Sequence, residues 1–426
     1  MLSVQVWRST SSEMIGFEKK VLENGLKVIV HEDRQTPLVA MNVVYNAGSK
    51  YENEGLTGIA HLMEHLMFAG SMNIPDYDTP LQMAGGDNNA YTNNDVADFY
   101  LTIPAENIET ALWLESDRMI KPKVTRRSLE IQKKVVSEEF SQRYLNQPYG
   151  DAMHLLRKEA YIVHPYRWPA IGMELSHIDR IELNDISDFI RRHYTPSNAI
   201  LTLAGNIETP MAFDLVDKWF GDINGLPGNK NPVMPEPVQQ KARRISVERD
   251  VPSCMIYKAW HACARNEDDF RVLDLMTDIL SGGESGRLYE ILVREKKIFS
   301  EINAYLTGDL EPGLIVCYGK VMDGIVLEKA EEELQAVIRR LTVNEPRENE
   351  MEKVKNRFES TTRMSNISVL SKVLNLSGYE LAGDANLINR ETERYFEITS
   401  GQVLKTAREY LMDENCTTLL YRSANR

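Results

Sequence analysis

Apolar and polar residues along this chain fall into short strand-like and helix-like blocks whose order recurs once. Phe17 to Val21, the turn Glu23-Asn24-Gly25 and Leu26 to Val30 read as a hairpin, because Asn-Gly tolerates the left-handed backbone of a tight turn. Pro37 to Tyr45 is mostly apolar and reads as a central strand. Residues 59–68, approached through Gly48, Gly55 and Gly58, are rich in Leu, Met, Ala and Phe without proline and read as a helix. Asn89 to Thr92 and Asp98 to Ile103 form a second predicted hairpin around Asn93-Asn94. Helices follow at 106–120, 128–145, 149–160 and 180–193, then a strand over Ala199 to Leu203 and a helix over Met211 to Phe220.

Ile223 to Gln240 holds Pro227, Pro232, Pro235 and Pro237 with Gly225 and Gly228, which predicts an extended surface connection. Beyond it, strands are expected near 242–249 and 254–262, then a helix from Asp268, a hairpin-like region and long helices from Val326. Two domains are therefore expected, residues 15–224 and 241–426, with a linker over 225–240. Sliding the chain along itself so that Leu62-Met63 falls on Leu275-Met276 also places Met67 over Leu280 and Gly70 over Gly283, as an old duplication would. The expected fold class is α+β: two homologous layered domains, each a largely antiparallel sheet packed with helices.

The helix at 59–68 carries His61-Leu62-Met63-Glu64-His65. Its two imidazoles stand one turn apart with Glu64 on the same face. Imidazoles at that spacing fill two corners of a tetrahedral zinc site, and the carboxylate between them reaches whatever else is bound there. The order His-x-x-Glu-His reverses the commoner His-Glu-x-x-His while keeping the three groups on one face. An ordinary solvent-edge helix is the competing reading. A third ligand is sought on the helix from Ser128 to Leu145, where Ile131, Val135, Val136 and Phe140 make an apolar stripe. Glu138 and Glu139 adjoin that stripe, with Glu139 on the flank facing the core, where a carboxylate is costly unless paired or bound to metal. On composition alone, a solvated acidic face is the simpler reading of Glu138-Glu139.

His61-Leu62-Met63-Glu64-His65 followed by Val135-Val136-Ser137-Glu138-Glu139 resembles the pitrilysin-type inverzincin metallopeptidases. The likeness is greatest to the branch of the mitochondrial processing peptidase and its bacterial relatives. Asn24 to Val28, Gly85 to Thr92, and Tyr194 to Asn198 with Ala204-Gly205-Asn206 resemble further segments of that family. The resemblance implies a zinc endopeptidase of unstructured peptides, with one Zn²⁺ per chain held by His61, His65 and Glu139, and Glu64 as general base. It also implies a substrate-pairing edge strand at Asn89 and Ala90, although from the residues alone Asn89 reads as a turn or strand-end position.

Departures from the family pattern shape the rest. Where it often has an assisting acid seven residues before the ligand, this chain has Gln132, leaving Gln132 and Glu138 as candidates for an assisting role. Arg294, within Val293 to Lys297, matches the family's substrate-contacting arginine, but the tyrosine expected seven residues on is Glu301, and Tyr305 is out of register. In the duplicated half His61, Glu64 and His65 meet Asp274, Thr277 and Asp278, so metal is expected in the first domain alone. These departures imply a zinc subunit working in a heterodimer with a related zinc-less chain, a homodimer being the alternative. A non-catalytic scaffold subunit is the competing function, though such relatives usually have eroded ligands.

Composition narrows the partners. The 49 basic and 63 acidic residues leave a formal charge of −14, which argues against nucleic acid. No apolar run reaches the roughly 18 residues of a membrane span. The first residues, MLSVQVWRSTSSEMIG, lack a basic segment followed by a long apolar one, so a cytoplasmic location is expected, or a periplasmic one if a signal segment was removed. Cys254, Cys263, Cys317 and Cys416 are scattered and read as free thiols.

Overall fold

Gly25 takes φ 88° and Val21 pairs with Lys27, closing the turn that Asn24-Gly25 calls for. From that hairpin a six-stranded sheet is built in a computed structural model that describes residues 14–225 and 232–424. The expectations for residues 1–13, and for Pro227 and Gly228, lie outside the described residues. The strands are β1 (Glu18–Val21), β2 (Lys27–Glu32), β3 (Leu38–Tyr45), β4 (Asp87–Thr92), β5 (Ala97–Pro104) and β6 (Ala199–Gly205), in the order β1-β2-β6-β3-β5-β4. The apolar strand β3 is interior, as its composition demands, and β4 is an edge.

The second half forms a five-stranded sheet from β7 (Arg243–Arg249), β8 (Met255–His261), β9 (Phe299–Leu306), β10 (Leu314–Val321) and β11 (Cys416–Ser423), in the order β7-β11-β8-β10-β9. Its strands match β2, β6, β3, β5 and β4 in order and in sense, each sheet having one parallel pair, β2 with β6 and β11 with β7. The fold is thus α+β, two mixed and largely antiparallel sheets packed with helices.

Several helix boundaries differ from the sequence reading for identifiable reasons. The helix expected over 128–145 is α-helical from Arg126 to Phe140, begun by a reciprocal Thr125–Ser128 cap, and winds into a wider π-turn over Ser141–Leu145. The one expected over 180–193 is two helices, Leu175–Arg180 and Leu183–His193, the second opened by Glu182 and Asp185 bonding each other's backbone N–H. The expected stripe on Arg126–Phe140 is also corrected. Ile131 and Val135 are 49% and 46% exposed, and the buried face is Leu129, Lys133, Val136 and Phe140. Lys133 fooled the pattern: its stem is buried while its ammonium donates to the carbonyls of Asp179 and Ile181 at 2.6 and 3.2 Å.

Each half covers the other's sheet. Val369–Leu381, a helix of the second half, lies on the first sheet, with Val369 and Val373 against Ala40 and Ala204, and Leu376 packed with Ile29, Val44 and Ile200. Thr202 and Ser377 share a hydrogen bond of 2.8 Å across this contact. Reciprocally, Ala152–Ala160 brings Ala152, Leu156 and Ala160 into one cluster with Tyr257, Leu314, Val316 and Leu419 of the second sheet. Between the halves Lys50 is buried with its ammonium 2.9 Å from Asp95 and 2.8 Å from Glu311. The described part of the proline-rich connection is fastened down as well. Glu236 accepts the N–H groups of Ile162, Val163 and His164, and Gln239 donates to the carbonyls of Glu414 and Cys416.

Because the exchanged helices tie both cores together, Leu376→Ala is expected to cost about 2–5 kcal/mol and to shift one common urea transition seen by far-UV circular dichroism and tryptophan fluorescence. Two transitions, with only one displaced, would contradict this packing.

Candidate metal centre

The histidine helix, Ile59–Met67, is nine residues long and buried on nearly every side. Only Glu64 and His65 are partly open to solvent. It starts at Gly58, whose φ of 99° and close approach to the Ile171 carbonyl, 2.8 Å from where a Cβ would stand, admit no side chain. Its Leu62, Leu66 and Met67 share one core with Leu129, Val136 and Phe140 of the helix Arg126–Phe140. That shared core brings Glu139 to the histidines.

His61 Nε2 and His65 Nε2 lie 3.8 and 3.5 Å from Glu139 Oε2. One donor atom from each of the three residues falls within 4.8 Å of the others, and no other such group of His, Cys, Asp and Glu occurs among the described residues. These separations exceed a hydrogen bond but suit donors facing a common ion, for which a tetrahedron with bonds of about 2.0–2.1 Å has edges of about 3.4 Å. The other Glu139 oxygen, Oε1, is 2.9 Å from the Arg143 guanidinium, which leaves Oε2 turned to the imidazoles.

Burial, then the neighbouring His65 and Arg143, hold the His61 pKa down at about 3, so its imidazole is neutral and able to ligate. Burial pushes the Glu64 carboxyl up, while the Thr92 hydroxyl and His65 pull it down and Glu139 pushes it further up. Glu64 Oε2 and His61 Nδ1 are buried without a hydrogen-bond partner. Two imidazoles, one carboxylate and an unpartnered carboxylate oxygen beside them form a donor set that zinc fits.

The remaining candidates are dispersed. Glu138 is exposed, accepts from Gln142 at 3.1 Å and is outside the converging group. Gln132 is half-buried two turns before Glu139. Asn89 is exposed on the edge strand β4, its side-chain oxygen accepting the N–H of Ala90 at 2.8 Å, and Ala90 packs against the first core. Arg294 belongs to the second half, 62% exposed and paired with Glu290 at 3.1 Å, and Glu301 is exposed on β9. At the equivalent helix of that half, Asp274 accepts from Tyr395 at 2.8 Å and Asp278 lies 3.8 Å from Arg357. A partly exposed ion pair and a hydrogen bond therefore stand where the first half gathers metal donors.

Two features escaped the sequence reading. Arg143 carried no motif, although its i+4 spacing from Glu139 is the ordinary signature of a helical ion pair. Asn303-Ala304-Tyr305 on β9 repeats Asn89-Ala90-Tyr91 on β4, including the 2.8 Å bond from the alanine N–H to the asparagine oxygen. No described helix is long and apolar enough to cross a membrane. No disulfide joins the cysteines, all four of which are free.

The chain is similar to known proteins. Residues 27–168 match the family model for insulinase, peptidase family M16, and residues 180–358 match that for the M16 peptidase inactive domain. The zinc protease PqqE of Helicobacter pylori is 26% identical over 416 residues, covering 95% of this chain and 92% of that protein. The beta subunit of the mitochondrial-processing peptidase of Saccharomyces cerevisiae is 26% identical over 273 residues, covering 62% of this chain and 57% of the relative. The crystal structure of a protease from Helicobacter pylori superposes with a TM-score of 0.91 at 26% identity, covering 96% of this chain and all of that one. The paired models, the full-length relatives and the duplicated fold with one His-His-Glu cluster agree: the chain belongs to the M16 family of peptidases.

Proposed function

We propose that this chain is a zinc-dependent endopeptidase and the catalytic subunit of a heterodimer. The observation that carries the reading is the convergence of His61, His65 and Glu139 beside the unpartnered Glu64 oxygen. Zinc held by those three residues would supply a Lewis acid that polarises the scissile carbonyl and acidifies water. Glu64 is not a ligand, so its free Oε2 takes the proton of the attacking water and delivers it to the leaving amine.

Among the described residues the edge strand β4 is paired only with β5, so an extended peptide adds there as a further strand, gaining affinity from main-chain bonds with little demand on sequence. Asn89 blunts that edge by capping the N–H of Ala90 with its own side chain, and an arriving peptide displaces the amide. Arg294 and Glu301 do not make a donor pair for the developing oxyanion, since an ionised carboxylate accepts and does not donate. A related subunit supplies that pair, in keeping with the naming of one relative as the beta subunit of a processing peptidase.

Glu64→Gln is expected to lower peptide hydrolysis by at least about 100-fold while the protein keeps one zinc per chain by elemental analysis. Undiminished turnover would remove Glu64 as the base. The isolated chain is expected to cleave a peptide library weakly and to gain full activity on mixing with a related chain that lacks the His-x-x-Glu-His motif. Full activity from the chain alone would refute the division of labour.

A further inference from the structure

The histidine helix begins without an ordinary cap. Gly58 at its N-cap offers no side-chain oxygen, and its first turn holds no acidic residue. A helix start leaves backbone N–H groups open, and here they are met by Glu52, six residues upstream. Its Oε2 accepts from the N–H of Gly58 at 3.0 Å and its Oε1 from that of Ala60 at 2.7 Å. Both oxygens of one carboxylate thus straddle the first turn at the positive end of the helix dipole. Glu52 is only 8% exposed. The segment between is pinned too: the Thr57 N–H donates to His177 Nδ1 at 3.3 Å, and Thr57 Oγ1 accepts the Met173 N–H at 2.7 Å.

A helix start that needs only a cap is served by Ser, Thr, Asp or Asn at the N-cap, close to water. Burying a full carboxyl group for the purpose is far more costly, so its two fixed oxygens must achieve something a simple cap would not. The rest of the helix shows what that is. Ile59, Ala60, Leu62, Met63, Leu66 and Met67 are all buried, and such contacts hold the helix against its neighbours. Adaptable methionines define its axial position and rotation poorly. The directional bonds to Gly58 and Ala60 define both, one residue before His61.

We infer that Glu52 is a positioning residue for the metal centre, fixing the helix so that His61 and His65 face Glu139. It touches neither substrate nor metal. This inference rests on the proposed zinc-binding role of His61, His65 and Glu139.

The test uses the full chain as wild type, Glu52→Gln and Glu52→Asp, with Leu376→Ala as a variant destabilised far from the site. Zinc affinity is measured by competition with a chromophoric chelator, and ligand geometry by the visible spectrum of the Co²⁺-loaded protein. Glu52→Gln is expected to weaken zinc binding about 10–100-fold and to alter the cobalt spectrum. Glu52→Asp, which keeps the carboxyl group on a shorter stem, should fall between it and wild type, and it carries the test if the Gln variant does not fold. Leu376→Ala should bind zinc like wild type despite its lower stability. Wild-type affinity and spectrum in both Glu52 variants, or equal loss in Leu376→Ala, would overturn the inference while leaving the zinc reading intact. A wild-type chain that binds no zinc would overturn both.

Discussion

The packing of two helices in one core is the constraint on which this molecule's chemistry depends. Ile59–Met67 supplies two imidazoles and Arg126–Phe140 supplies one carboxylate, and neither helix alone offers more than part of a site. Leu62, Leu66, Leu129, Val136 and Phe140 bury the space between them, so apolar burial brings three polar groups within 4.8 Å. Setting such groups together without a bound ion is unfavourable, and Arg143 offsets part of that cost at Glu139. The arrangement therefore suits a cation, held in place by the apolar core around it.

A second layer of organisation explains why a chain with one centre carries two copies of its fold. The sheets share an order and sense of strands, yet neither is closed by its own half alone. Val369–Leu381 covers the first sheet and Ala152–Ala160 the second, with the buried Lys50–Asp95 pair and the partly exposed Glu311 between them. The half without the His-His-Glu group thus gives the half that carries it part of its hydrophobic backing. The second copy, whose Asp274 and Asp278 are engaged by Tyr395 and Arg357, serves the packing of the first.

Much of this was legible in the residues. Asn24-Gly25 marked its turn because few other pairs tolerate that backbone, and the apolar run 38–45 marked an interior strand because both of its faces are buried. His-x-x-Glu-His marked a metal face because only a helix gives that spacing meaning. Helix spacing put Glu139 on the core-facing flank, but only the resemblance to known peptidases named it, and not Glu138, as a ligand. Periodicity points to a helix face but not to a metal, and the apolar pattern itself misplaced that face once Lys133 buried its stem. The exchange of helices was not legible at all: amphipathicity shows that a helix must be covered, not which sheet covers it. Arg143 and Glu52 were hidden for a related reason, since charged residues on a helix and before a glycine look like ordinary surface.

X-ray absorption at the zinc edge on the purified, zinc-loaded chain addresses the centre most directly. The account predicts a first shell of nitrogen and oxygen at about 2.0–2.1 Å with multiple scattering from two imidazoles. A sulfur shell, or a spectrum without imidazole scattering, would contradict it.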